Sequence, residues 1–228
     1  MTNWGEHAER GEARYRDGEA RLPVAEDADA RQRQLTRMGN AAGAVGLSFL
    51  MAGSGDEASD WLHRAAERYR ESMADAPPGS WGRPIGAMKA LVLAGDWEAA
   101  EEAAQWALEL GAAEADSPIG RYAGSLALLV LGRDTETRPV ADSLRERDDF
   151  PGDVADALAT LAASDRLGYV DAVESVLESF ETREEYLEDM PVADTVVVLQ
   201  ALAAKREIAA ELASPLLPNG RSADGEPR

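Results

Sequence analysis

The sequence predicts an all-α protein, and three observations carry that prediction. First, one phrase recurs: an apolar helix closing in small residues, a Gly/Asp break, then a helix that opens on charge and ends in Ala and Leu. Residues 87–93 run into Gly95-Asp96-Trp97, residues 122–131 into Gly132-Arg133-Asp134, and residues 154–161 into Asp165-Arg166. The breaks lie 37 and then 33 residues apart, a period typical of two-helix repeats that bury their apolar faces on one another. Second, alternating strand patterns are missing; the run Val196-Val197-Val198-Leu199 continues into Ala and Leu and reads as a buried helix. Third, 45% of the residues are hydrophobic but only 6% aromatic, so the core must be built of Ala, Leu and Val packed closely.

Taken in order, residues 1–24 are rich in Glu, Arg and Gly and read as a loosely ordered charged arm. A helical-repeat domain is expected over 25–218, with about nine helices stacked as a short solenoid, and a disordered tail over 219–228. The first long helix spans about 26–51 and stops at Gly53-Ser54-Gly55. The second follows a Ser54 or Asp56 cap and aligns Trp61, Leu62, Ala65, Tyr69 and Met73. The third begins near Pro84, and the fourth carries Trp97, Ala100, Ala104 and Ala107 with its glutamates facing out. Ser117-Pro118 opens the fifth, Pro139 marks the sixth, Pro151 the seventh, and the eighth aligns Val170, Val173, Val176, Leu177 and Phe180.

The formal charge of −20 argues against nucleic-acid phosphates and anionic membranes as partners. Only Lys89 and Lys205 stand beside 21 arginines, and with acids spread over the chain this resembles the surface of a salt-adapted, halophilic cytoplasmic protein. Cysteine is absent, which removes thiol catalysis, disulfides and thiolate metal sites. The opening residues lack the apolar core of a signal peptide, and the longest apolar stretch, 41–52, is too short to span a bilayer. A cytoplasmic location follows as the expectation.

Motifs for chemistry are sparse. Gly53-Ser54-Gly55-Asp56-Glu57-Ala58 fits a loose dinucleotide pattern, but a helix precedes it where that pattern needs a strand. Asp60, His63 and Glu67 share a helical face at carboxylate-metal spacing, without a matching half elsewhere. The expectation is therefore no enzyme, no cofactor and no metal. The candidate partner-binding residues are Trp81, which precedes its helix, Arg83, and Glu181, Glu184, Glu185 and Glu188 of the densest acidic run.

The C-terminal stretch 194–218 differs from the hairpins: a Leu/Ala-rich helix, the pair Lys205-Arg206, an Ile208 corner, then an apolar segment ending Leu216-Leu217-Pro218. This arrangement resembles the C-terminus of the immunity protein 49 family, with Glu207 where glycine is expected in the turn. Residues 93–100, Leu-Ala-Gly-Asp-Trp-Glu-Ala-Ala, resemble the inter-helix turn of a tetratricopeptide repeat. The first resemblance implies a non-enzymatic protein that binds and neutralises a cognate polymorphic toxin by occlusion, and supplies no catalytic residue. The second implies an adaptor or scaffold that holds peptides or partner proteins.

Overall fold

A computed structural model describes residues 2–218. Among the described residues there are ten α-helices and no strand: α1 (Trp4–Arg21), α2 (Ala28–Ala52), α3 (Gly55–Met73), α4 (Gly82–Ala94), α5 (Trp97–Glu109), α6 (Pro118–Val130), α7 (Asp134–Arg145), α8 (Gly152–Ala163), α9 (Arg166–Glu181) and α10 (Asp194–Ala204). Each of the first nine packs on its sequence neighbours, and α4, α6 and α8 also touch in succession, as in a stack of helical hairpins. No described helix is long and apolar enough to cross a membrane.

The three breaks close by the same pair of backbone bonds. Gly95 N–H donates to the Val92 carbonyl and Asp96 N–H to Leu91; Gly132 and Arg133 repeat this with Leu129 and Leu128, Ser164 and Asp165 with Leu161 and Thr160. This is the helix-terminating motif in which a left-handed residue satisfies the last carbonyls. Glycine supplies that conformation at 95 and 132, and Ser164 adopts it at φ 52°. Asp96, Ser117 and Asp165 then cap the next helices through their side-chain oxygens.

Among the described residues of the expected 1–24 arm, positions 2–24 are not loose. Asn3 caps α1, and its Ala8, Gly11, Tyr15 and Gly18 are buried against α2. A Cβ on Gly11 would lie 2.6 Å from Val45 Cγ2, and one on Gly18 2.5 Å from Met38 Cγ. The seam runs at 3- and 4-residue spacing and, apart from Tyr15, is made of small residues, Ala8, Gly11 and Gly18, which composition hides. Tyr15, only 4% exposed, adds an edge-on contact with Trp61 at 5.3 Å and accepts a bond from Arg68 Nε. The expected tail over 219–228 lies outside the described residues.

Helix α7 also begins earlier than Pro139 suggests, at Asp134, with the proline inside it. Arg206 fixes that start from 72 residues away. Its Nε donates to Asp134 Oδ2 at 3.2 Å, a second ion-pair contact joins Nη2 to Oδ1, and Nη2 also reaches the Leu129 carbonyl at 2.8 Å.

The C-terminal segment returns across the stack. Helix α10, apolar on nearly every side, contacts α4, α8 and α9. Residues 205–218 are tied back by Gln200, whose amide exchanges two bonds with Ala210, and by Ala193 N–H donating to the Leu216 carbonyl at 2.9 Å. Glu207 lies at φ 59°, the left-handed conformation that favours glycine. Lys205 places its ammonium 3.9 Å over the Trp97 ring, so that tryptophan joins its hairpin to this segment.

Candidate functional site

A cavity of about 600 Å³ opens where α2, α3 and α4 face α6, α8 and the segment leading into α10. Its size suits a small ligand or a few inserted side chains. Leu47, Leu62, Ile85, Ile119, Phe150 and Val154 supply apolar wall from five elements and one connection. Tyr69 stands among them. A Cβ on Gly39 or Gly86 would come 2.9 and 2.6 Å from its ring, so these glycines of α2 and α4 let the ring lie between the helices. The hydroxyl donates to Asn40 Oδ1 at 2.8 Å.

The polar floor centres on Lys89. This lysine sits in the apolar run of α4 with its side chain 15% exposed. Its ammonium lies 2.6 Å from Asp194 Oδ2 and donates to Thr195 Oγ1 at 3.0 Å, across 106 residues of sequence to the start of α10. Burial alone would pull its pKa down; the Asp194 charge and hydrogen bond outweigh that and hold it above the ordinary lysine value. Burial raises the Tyr69 hydroxyl well above the phenolic range, and burial also raises Tyr122. Lys89 therefore stays an ammonium, and Tyr69 and Tyr122 stay neutral hydroxyls, near neutral pH.

One edge of the cavity is a strap running from Arg183 to Met190. Within it Glu188 and Asp189 are consecutive left-handed residues, at φ 57° and 56°. Arg14 of α1 holds both: Nη1 reaches Glu188 Oε2 at 2.6 Å, and Nη2 reaches Asp189 Oδ2 at 3.3 Å.

Of the residues singled out from sequence, Arg83, Glu185 and Glu188 line this cavity. Trp81 does not; its indole packs over Gly120 of α6. Glu181 accepts a bond from Ser214 Oγ at 2.7 Å, and Glu184 is exposed outside the lining. Sequence reasoning missed Tyr69, Lys89, Tyr122, Asp194 and Thr195. The available signal was Lys89, one of two lysines in the chain, placed in the middle of an apolar helix.

His63 is engaged elsewhere. Its Nδ1 lies 2.9 Å from the Ser59 carbonyl and its Nε2 2.9 Å from Asp96 Oδ2. A carbonyl and a carboxylate only accept, so these two contacts favour the imidazolium, protonated on both nitrogens. The bond to Asp96 raises the histidine's pKa against the opposing effect of burial, with help from the Ser59 carbonyl and the Asp96 and Glu67 charges. The same bond lowers Asp96. The histidine's contribution to stability is thus full below its ordinary value of 6.5 and fades as pH rises through the higher folded value. Asp96 contributes above its ordinary carboxylate value and loses this as pH falls through the lower one. Thermal melts are expected to show a wider gap between wild type and His63→Gln at pH 5.5 than at pH 8.5.

No family model, curated protein or solved structure matches this chain.

Proposed function

We propose that this chain is a non-enzymatic immunity protein that neutralises a cognate toxin domain by holding a segment of it in the cavity between α2–α4 and α10. The observation that carries the reading is the cavity itself: a large, mainly apolar space on a helical-hairpin stack, with polar groups placed at its floor and mouth. Such a site suits recognition of inserted side chains. The floor is poorly suited to proton transfer, because Asp194 holds Lys89 as an ammonium and burial holds Tyr69 and Tyr122 as neutral hydroxyls. The likeness of residues 199–218 to the immunity protein 49 ending supports a toxin as the partner, and Glu207 in the glycine-favouring conformation fits the turn expected there. An adaptor of the tetratricopeptide kind is the second reading, favoured by the Gly95-Asp96 turn and its cap.

Gly43 gives a direct test. It lines the cavity, and a Cβ there meets nothing nearer than Ala65 Cβ at 3.9 Å. Filling the space from this position is compatible with the helix, where glycine is a poor former. The immunity reading expects a toxin domain encoded beside this gene; that domain is co-expressed with each variant, complex affinity is measured by calorimetry, and a neighbourhood without such a gene counts against the reading. Wild type and Gly43→Ala are expected to rescue growth; Gly43→Trp is expected to weaken the complex by about tenfold or more and lose rescue. Unchanged affinity in Gly43→Trp overturns the cavity as the site. A neighbouring toxin that wild type does not relieve overturns the immunity reading.

A further inference from the structure

The cavity lining departs from the acidity of the chain, with Arg83, Lys89 and Arg183 facing Glu185, Glu188 and Asp194. Acids outnumber bases 43 to 23 overall. On the lining, Lys89 is paired with Asp194, and Glu188 is paired with Arg14 from the adjoining helix, a guanidinium it shares with Asp189. Arg83, Arg183 and Glu185 remain.

The two arginines have no carboxylate partner among the described residues. Arg83 is half-buried; its Nε donates to Ser72 Oγ at 3.1 Å and its Nη2 to Gln32 Oε1. Both acceptors are neutral, so the guanidinium keeps its charge uncompensated and N–H groups to spare, and desolvation draws its pKa down. Arg183 lies at the mouth, its guanidinium 3.7 Å from the centre of the Phe180 ring. Glu185 is solvent-exposed on the same strap and is the single unpaired acid of the lining.

Apolar walls beside an uncompensated guanidinium select a particular chemistry. A carboxylate is the natural partner, because the planar fork of arginine meets it with paired, charge-assisted bonds that strengthen away from water. A cation placed there meets like charge. The overall acidity of the chain is therefore no guide to the charge of an occupant at this site.

We infer that the cavity receives a partner segment presenting a large apolar side chain next to a carboxylate, with the carboxylate meeting Arg83 and Arg183 supplying further positive charge at the mouth. This rests on the cavity being the binding site, as proposed above. The apolar side chain fills the space between Leu62, Ile85 and Phe150, and the negative charge fixes which way the segment enters.

The test is selection from a random 12-residue peptide library displayed on phage, with the full chain as bait and Gly43→Trp as counter-bait. Cavity-dependent peptides are expected to carry Asp or Glu within two residues of Leu, Ile, Phe or Trp. Synthetic copies are expected to lose at least about tenfold in affinity for the Arg83→Gln/Arg183→Gln double variant, whose folding is checked by its melting temperature. Selected peptides that are basic or uncharged, or that bind the double variant equally well, overturn the inference. A second arm compares the anionic dye 1-anilinonaphthalene-8-sulfonate with uncharged N-phenyl-1-naphthylamine, which shares its ring system. Arginine-dependent preference for the sulfonate supports a negative occupant when cavity-dependent peptides are also recovered; the same preference with no such peptide assigns the site to a free amphiphile and overturns the peptide. If every peptide recovered on the wild type before counter-selection, and both dyes, also bind Gly43→Trp, it is the cavity reading that fails.

Discussion

Asp194→Ala is expected to destabilise the protein by about 3 kcal/mol, because it leaves the Lys89 ammonium in the cavity floor with no opposite charge. Thr195 Oγ1 remains as a neutral acceptor at 3.0 Å, which is too little to replace a carboxylate at 2.6 Å. The pH dependence should change sign as well. In the wild type Lys89 is held above its ordinary value, so its stabilisation is lost only as alkaline pH deprotonates it. In the variant burial dominates, the folded pKa falls below the ordinary one, and stability rises as pH climbs through that range. Lys89→Met combined with Asp194→Ala should recover much of the loss, since an apolar pair of similar volume is tolerated where a half pair is not. Urea denaturation measures the stability series. Isotope labelling of lysine reads the titration directly, because the chain holds only Lys89 and Lys205.

Arg206→Ala is expected to cost a similar amount, about 3 kcal/mol, and to lower the melting temperature by roughly 10 °C in a chain of this size. The side chain is 9% exposed and joins three things: the Asp134 carboxylate, the Leu129 carbonyl and the Leu202 carbonyl. Removing it leaves a partly buried acid at the start of α7 and frees the segment after α10 from the α6–α7 turn. Arg206→Lys retains the charge but not the fork, so it should fall between the two. Hydrogen exchange separates this from general loosening: faster exchange is expected first in residues 205–218 and at the start of α7, with α2 and α3 unaffected. Uniform acceleration across the chain would contradict the role assigned to Arg206.

The hairpins were legible because their determinants are local. Gly95, Gly132 and Asp165 mark the breaks, and Asp96, Ser117 and Asp165 cap helices two or three residues away, within reach of pattern reading. Two features escaped for different reasons. Helix α1 buries Ala8, Gly11, Tyr15 and Gly18, a face that is real but contributes almost no hydropathy. The start of α7 depends on Arg206, a partner 72 residues distant, and nothing near Pro139 reports it. The cavity was legible only in fragments. Arg83, Glu185 and Glu188 were found for their charge, whereas Tyr69 and Tyr122 sat on stripes that read as core. Lys89 and Asp194 acquire meaning from each other, and only the return of α10 across α4 brings them together.

The bond from Arg14 to the strap gives α1 a share in whatever the cavity does. Glu188 and Asp189 hold a backbone conformation that costs each on the order of 1 kcal/mol or more, and a cation from the first helix steadies them there. The docking of α1 on α2 and the strap at the cavity's mouth are thereby joined by one side chain. A segment whose composition reads as a solvated appendage becomes, through one guanidinium, a brace for the rim of the cavity.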